Sequence, residues 1–198
     1  MSFIKRNLNL IGRLLINQFA IVIFAFVLIC TAIMVWEPEK ARVPMMVISI
    51  FSICFYGYLI YVCQWERGCQ DIVRMEAGRL PYSKTVGFRA GLVASIPNAI
   101  LFLLLLIGFI IEAATENGGI FMIGTFGAIT WGSLYYGITW SLAGIPNPIT
   151  ENGMDLEPWI VVVCYAIALL ILPCISHLGY RMGQKNKFSA MPNKKKGF

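Results

Sequence analysis

The chain contains a stretch of 91 residues, from Ala90 to Tyr180, that holds no lysine or arginine. Basic residues stand immediately outside both ends of this stretch, at Arg89 and Arg181. Only 13% of all residues are charged, whereas about a quarter of a soluble domain is charged. Because so few charges cannot cover a water-facing surface, the sequence predicts an all-α integral membrane protein whose solvent is lipid.

Four apolar segments predict transmembrane helices. Each holds 22 or 23 residues without a formal charge, and a helix of that length spans about 34 Å, enough to cross ~30 Å of hydrocarbon. We expect Pro97 and Pro173 to kink the third and fourth spans, because proline removes a backbone hydrogen bond. The predicted spans are residues 14–36, 43–65, 90–111 and 158–180.

The segment 119–144 is apolar enough to be a fifth span, but glycines interrupt it and its aromatic residues suit the level of lipid headgroups. If it crossed the membrane, the acidic loop 145–157 would face the cytosol and the lysine-rich tail would face outside. That arrangement reverses the positive-inside rule. We therefore predict four spans and a re-entrant or interfacial segment on the outer side.

With this topology the basic residues collect on one side. The inner regions hold 14 basic and 3 acidic residues, and the outer loops hold 2 basic and 7 acidic residues, which accounts for every charge in the chain. The positive-inside rule places the basic side in the cytoplasm. We expect residues 1–183 to form one transmembrane domain with both termini cytoplasmic, and residues 184–198 to be a basic, disordered tail.

The cytoplasmic connector, residues 64–89, is amphipathic, with apolar residues at helical spacing opposite charged and polar ones. It either continues the second helix into the cytosol or lies on the membrane surface. Its charges serve either as solvated membrane anchors or as a docking surface for a partner. The candidate partner-binding residues are Arg67, Asp71, Arg74 and Arg79.

A second candidate site lies within the membrane, near the proline kinks. Kinked or discontinuous elements around a cavity are how small-molecule carriers build their substrate sites. No ionisable residue is buried deep in any predicted span, so the usual marker of proton or ion coupling is missing. The cavity candidates are Pro97, Asn98, Trp131 and Pro173.

Catalytic chemistry has one candidate pair, Ser133 with His177, the single histidine of the chain. Gly132-Ser133 and His177-x-Gly179 resemble fragments of rhomboid-type intramembrane serine proteases, whose dyad needs hydrogen-bond contact. The predicted topology separates the two residues by about 30 Å, across the bilayer. The chain has no nucleotide-binding or HExxH motif, and its cysteines and acidic loop residues lack metal-ligand spacing. We predict no enzyme and no catalytic, cofactor-binding or metal site.

The sequence resembles a group of small multi-pass membrane proteins predicted from Gram-positive, clostridial-type bacteria. The group has no assigned activity, so the resemblance implies a bacterial cytoplasmic membrane location and carries over no functional residue. It covers most of residues 50 to 185. The residues that carry it are Cys69-Gln70-Asp71-Ile72-Val73, Gly78-Arg79, Gly87, Gly91, Pro97 and His177-Leu178-Gly179-Tyr180-x-x-Gly183.

The function that the sequence favours is that of a non-enzymatic membrane component, an accessory or scaffold subunit that binds a partner through the connector. A small transporter or channel-forming subunit is the alternative. The expected partners are the lipid bilayer and another membrane protein or a second copy of the chain. Nucleic acid is not expected, because the basic residues flank apolar runs instead of forming a basic face on a soluble core.

The predicted topology is testable with a membrane-impermeant maleimide in a background whose native cysteines are replaced. Glu151→Cys should react in intact cells, and Lys195→Cys should react only after permeabilisation, because cationic segments stay on the cytoplasmic side. Labelling that reached Lys195→Cys from outside, or Glu151→Cys only from the cytoplasm, would overturn the topology.

Overall fold

The structure, a computed structural model of the chain, describes residues 3–36, 38–81, 83–115, 126–127, 130–143 and 158–185. The regular elements in these ranges are α-helices, which confirms the predicted all-α class for the described residues. Residues 119–125, the loop 145–157 and the tail from 186 onward lie outside them. The helices are α1 (Phe3–Val35), α2 (Pro38–Glu76), α3 (Val86–Ala94), α4 (Ile96–Thr115), α5 (Ser133–Ala143) and α6 (Pro158–Lys185).

Among the described residues, α1, α2 and α6 are each long and apolar enough to cross a membrane, and α3 with α4 makes a fourth candidate if this bent pair is one span. In α1 and in α6, about a third of the most apolar 18-residue stretch is buried inside the protein. The other side chains of each helix form an apolar outer surface, on which Ile16 and Ile167 are at least 60% exposed. Such a surface is stable in lipid and unstable in water.

The predicted second span and the first part of the connector form one continuous helix. α2 runs without interruption from Pro38 to Glu76, so the connector continues the span instead of lying as a separate element. The helix ends at Glu76, and Gly78 in the turn that follows has a positive φ of 70°, which suits glycine better than any other residue.

The third predicted span is broken at Ser95, one residue after α3 ends. The chain bends by 51° between α3 and α4 at this point. Pro97 has no backbone N–H with which to continue the hydrogen-bond ladder. The Ser95 hydroxyl donates to the Gly91 carbonyl at 2.8 Å, a local contact that also favours bending. The kink that the sequence predicts at Pro97 is therefore present.

The chain divides into two compact units. The basic unit comprises residues 1–17, 57–95 and 171–198, and the acidic unit comprises residues 18–56 and 96–170. By sequence, the basic unit carries 14 of the 16 basic residues and 3 of the 10 acidic ones. The units thus coincide with the two charge groups that the sequence analysis assigned to opposite sides of the membrane.

In the basic unit, α2 and α6 pack closely through small residues. Gly57 faces the Ile175 side chain, Gly179 faces Tyr61, and Gly183 faces Trp65. A Cβ atom built on Gly183 would overlap the Trp65 carbonyl oxygen, and one on Gly179 would lie 2.7 Å from the Tyr61 carbonyl oxygen. The contacts advance by four residues on both helices, so α2 and α6 run in the same direction.

Helix α3 packs on the same part of α6 by the same means. A Cβ atom on Gly91 would lie 2.8 Å from the Cα of Pro173, and one on Gly87 would overlap Tyr180. The Ser176 hydroxyl donates to the Gly87 carbonyl at 2.7 Å. Since the contacts advance along α3 as they retreat along α6, the two helices are antiparallel.

In the acidic unit, the short helix α5 is enclosed by protein. The Gly137 N–H donates to Ser49 Oγ at 2.9 Å, and the Arg42 guanidinium donates to the Ser141 carbonyl. Trp140 is 7% exposed and belongs to a buried apolar cluster of the same unit. α5 has 11 residues, about 16 Å of helix, which is half the thickness of the hydrocarbon layer.

The close approach of α2 and α6 predicts that Gly183→Ala destabilises the protein by about 1–3 kcal/mol, because the added methyl group forces backbone atoms apart. The measurement is the thermal unfolding midpoint in mild detergent. Gly12→Ala is the matched control, since a Cβ atom there meets no heavy atom within 4 Å. Gly12→Ala should be neutral or stabilising, and equal midpoints for the two variants would contradict the packing described here.

Candidate functional site

Asp71 is the buried carboxylate around which the polar contacts of the connector are arranged. Its side chain is 4% exposed. The Tyr180 hydroxyl donates to Oδ2 at 3.1 Å, and Arg67 Nε donates to the same oxygen at 3.2 Å. Arg74 lies one turn further on, 3.9 Å from Oδ1. A buried carboxylate is tolerated only when it is paired and hydrogen-bonded. The two arginines lie on α2 with Asp71, and the hydrogen bond from Tyr180 ties α2 to α6.

The four partner-binding candidates of the connector therefore differ in accessibility. Arg74 has a half-exposed side chain and Arg79 is exposed, whereas Arg67 is 23% exposed at its side chain. Asp71 does not lie on the solvated face to which the amphipathic pattern assigned it. It faces α6 instead, where it accepts the hydrogen bond from Tyr180.

The last turn of α6 holds the rest of the connector in place. Cys69 Sγ donates to the Gly183 carbonyl at 3.3 Å. Gln184, which is 9% exposed, donates through Nε2 to the Ser83 carbonyl at 3.0 Å. Since Ser83 lies beyond the end of α2, α6 anchors both the helical part of the connector and the turn that follows it.

Two of the cavity candidates meet in the acidic unit. Asn98 Oδ1 accepts a hydrogen bond from Trp131 Nε1 at 3.1 Å and another from Gln18 Nε2 at 2.5 Å. The ring of Phe19 lies 6.1 Å from that of Trp131, centroid to centroid. These bonds connect α1 with α4, and α4 with Trp131, which lies two residues before α5. Because an amide oxygen has two lone pairs, its acceptor capacity is filled by protein donors.

The two proline candidates lie in different units. Pro97 is half-buried in the first turn of α4, next to Asn98. Pro173 is inside α6 and belongs to the basic unit, where its Cα faces Gly91. The structure therefore brings Asn98 and Trp131 into contact within one unit, with Pro97 adjacent, and assigns Pro173 to the packing of α3 on α6.

Ser133 and His177 also belong to different units. The buried Ser133 hydroxyl donates to the Val22 carbonyl at 2.9 Å, so its proton is engaged by the backbone. His177 contacts Phe88 edge to face, with centroids 6.1 Å apart. Within the described ranges, no group of three or more His, Cys, Asp or Glu residues is placed to hold a metal ion.

Sequence reasoning did not identify Tyr180 as the partner of Asp71. One sequence pattern could have indicated this contact. Residues 64, 68 and 71 are four and three positions apart, a spacing that places them on one face of α2 and is typical of packed helices. Residues on this face contact α6: Gln64 beside Gly179, Gly68 beside Tyr180, and Asp71. The contact of Gln18 with Asn98 was likewise not identified, because the two residues are 80 positions apart in the sequence.

Comparisons of the chain with protein-family models, with curated proteins and with solved structures found no match.

The contact between Tyr180 and Asp71 predicts that Tyr180→Phe lowers the free energy of unfolding by about 2 kcal/mol, because it removes a hydrogen bond to a buried charged group. Tyr58→Phe is the control, since Tyr58 is 62% exposed on α2 and loss of its hydroxyl should change little. Unfolding in mixed micelles measures both. A double-mutant cycle with Asp71→Asn should give a coupling energy of at least ~0.5 kcal/mol, and strict additivity would contradict the assigned contact.

Proposed function

We propose that the protein is a non-enzymatic integral membrane component, an accessory or scaffold subunit that binds a partner through the connector. The observation that carries this proposal is the buried contact between Asp71 and Tyr180, which fixes the connector on α6. The same segment presents the cationic side chains of Arg74 and Arg79 outward. Arg74 lies on α2, and Arg79 lies in the turn after it, where its N–H donates to the Arg74 carbonyl. An ordered backbone with exposed guanidinium groups is suited to binding, because little conformational freedom is lost when a partner docks.

The partner surface that fits these side chains is acidic. Guanidinium groups bind carboxylates through paired, planar hydrogen bonds, which gives geometric specificity as well as attraction. The high positive charge of the basic unit attracts such a surface from a distance and speeds the encounter. A neighbouring membrane protein with an acidic cytoplasmic loop is the class of partner proposed.

The proposed topology has four spans, a re-entrant or interfacial segment at 119–144, and both termini in the cytoplasm of a bacterial cell. One observation supports it: α2 and α6 run in the same direction. Between the end of α2 and the end of α6 the chain must then cross the membrane an even number of times. One crossing by α3 with α4 and one by α6 meets this condition, and a further crossing by the segment that contains α5 would not.

Transport is the second candidate function. The observation that favours it is the hydrogen bond between two amide side chains, Gln18 on α1 and Asn98 on α4, both within predicted spans. Polar groups at that depth are uncommon and often line substrate paths. The filled acceptor capacity of Asn98 favours a structural cross-link instead. Solute flux into proteoliposomes that contain the purified protein alone would favour the carrier.

The scaffold proposal predicts that one identified protein co-purifies with the chain in mild detergent after cross-linking in cells. The double variant Arg74→Glu, Arg79→Glu should lose that protein at least tenfold, because each reversed charge faces an acidic surface. Quantitative mass spectrometry of the cross-linked complex is the measurement.

The double change Lys5→Glu, Lys185→Glu is the matched control for charge, since both lysines are exposed in the same unit but lie on α1 and α6. It should retain the partner. Equal loss in the control and the double variant would mean that net charge, and not the connector, retains the partner. No loss in either would contradict the proposal.

A further inference from the structure

The basic unit contains a groove between the beginning of α1 and the end of α2, which we term the α1–α2 groove. It encloses about 560 Å³. Gly12 lies in its α1 wall, and a Cβ atom built there would meet no heavy atom within 4 Å. The missing side chain therefore leaves space that a ligand can enter. The volume is within the range of small-molecule sites, roughly 300–1,000 Å³.

The groove changes from apolar to polar along its length. α1 and α2 form a hairpin whose connection is two residues long, so their walls are antiparallel, and Arg13 lies opposite Glu66 at 3.8 Å. In this register Ile16 and Cys63 form one end, which continues towards the apolar parts of both helices. Residues Asn9 and Gln70 form the other end.

Two cations occupy the middle of the groove. The side chain of Arg13 is 69% exposed, and its ion pair with the 57% exposed side chain of Glu66 is of the solvent-exposed kind that contributes little. Arg67 donates Nε–H to Asp71. A guanidinium has five N–H donors, so both arginines retain donors for a further anion.

We propose that the α1–α2 groove binds one anionic phospholipid, with its phosphate at Arg13 and Arg67 and an acyl chain along Ile16. The lining carries two arginines against one carboxylate, that of Glu66, and this net positive charge complements the headgroup. Arginine also matches phosphate geometry through paired hydrogen bonds. Basic pockets between helices at the cytoplasmic membrane surface are established positions for acidic headgroups. Asn9 and Gln70 supply polar contacts at the groove end that faces away from the acyl chain.

A phospholipid fits this groove better than an acidic peptide does. Ile16, at the end of the groove that continues towards the apolar parts of both helices, is 68% exposed, so this end of the rim is apolar. A free acidic peptide gains little from that rim, whereas an acyl chain buries it at about 25 cal/mol per Å². The position of Arg13, directly before the predicted span 14–36, also suits the headgroup level.

The test is native mass spectrometry of the full-length protein in detergent, titrated with dioleoyl phosphatidylglycerol or with dioleoyl phosphatidylcholine. The first phosphatidylglycerol should bind at least tenfold more tightly than phosphatidylcholine. Arg13→Gln should weaken phosphatidylglycerol binding about fivefold, which corresponds to the ~1 kcal/mol of one basic residue near an anionic lipid. Gly12→Phe should abolish the preference, because the ring fills the groove without changing any charge.

Lys185→Gln is the matched control. It makes the same charge change on an exposed residue of the same unit that is not part of the groove lining, and it should bind phosphatidylglycerol as the original chain does. Circular dichroism and size-exclusion chromatography report whether each variant is folded. If Gly12→Phe does not fold, the comparison of Arg13→Gln with Lys185→Gln decides alone.

Three results would overturn the proposal. Equal affinity for the two lipids would show that the groove does not select an anionic headgroup. Equal weakening by Arg13→Gln and Lys185→Gln would show a non-specific response to net charge. Displacement of phosphatidylglycerol by millimolar inorganic phosphate, or by a soluble oligoglutamate peptide that binds equally well, would assign the groove to a free anion or to a peptide.

Discussion

The close contact of α6 with α2 in the basic unit is the constraint on which most other features of that unit depend. In lipid, apolar surfaces gain little by leaving their solvent, so helices associate mainly through tight packing and polar contacts. Gly179 and Gly183 allow the α6 backbone to approach the carbonyl groups of Tyr61 and Trp65. That approach brings Tyr180, between the two glycines, within hydrogen-bond distance of Asp71.

The buried carboxylate of Asp71 then gives the connector an order that its sequence does not require. A run of charged residues after a membrane span is usually solvated, and isolated ion pairs on its surface contribute little. Here the carboxylate is enclosed, and its contacts with Tyr180 and Arg67 hold the end of α2 on α6. Arg74 and Arg79 are consequently displayed on an ordered surface, and Arg67 is held beside the α1–α2 groove.

The candidate sites were predictable to different degrees, and the reason is distance along the chain. Asn98 was identified because it follows a proline within an apolar run, and Trp131 because it lies in a segment interrupted by glycines. Their mutual hydrogen bond spans 33 residues, and the bond from Gln18 spans 80. Periodicity describes which residues share a face of one helix, but it does not identify the opposing helix. Asp71 was assigned to the wrong face of α2 for that reason, and Pro173 was grouped with residues of the other unit.

The sequence by itself determined that the protein is helical, that lipid is its solvent, and which segments carry positive charge, because composition and run length are local properties. It also located the break near Pro97, since a missing N–H acts within one turn. Only the tertiary structure decided that α2 continues through the connector to Glu76, that Asp71 is buried against Tyr180, and that α5 is enclosed within the acidic unit. These outcomes depend on which surfaces approach closely enough to exclude solvent, and that depends on residues far apart in the chain.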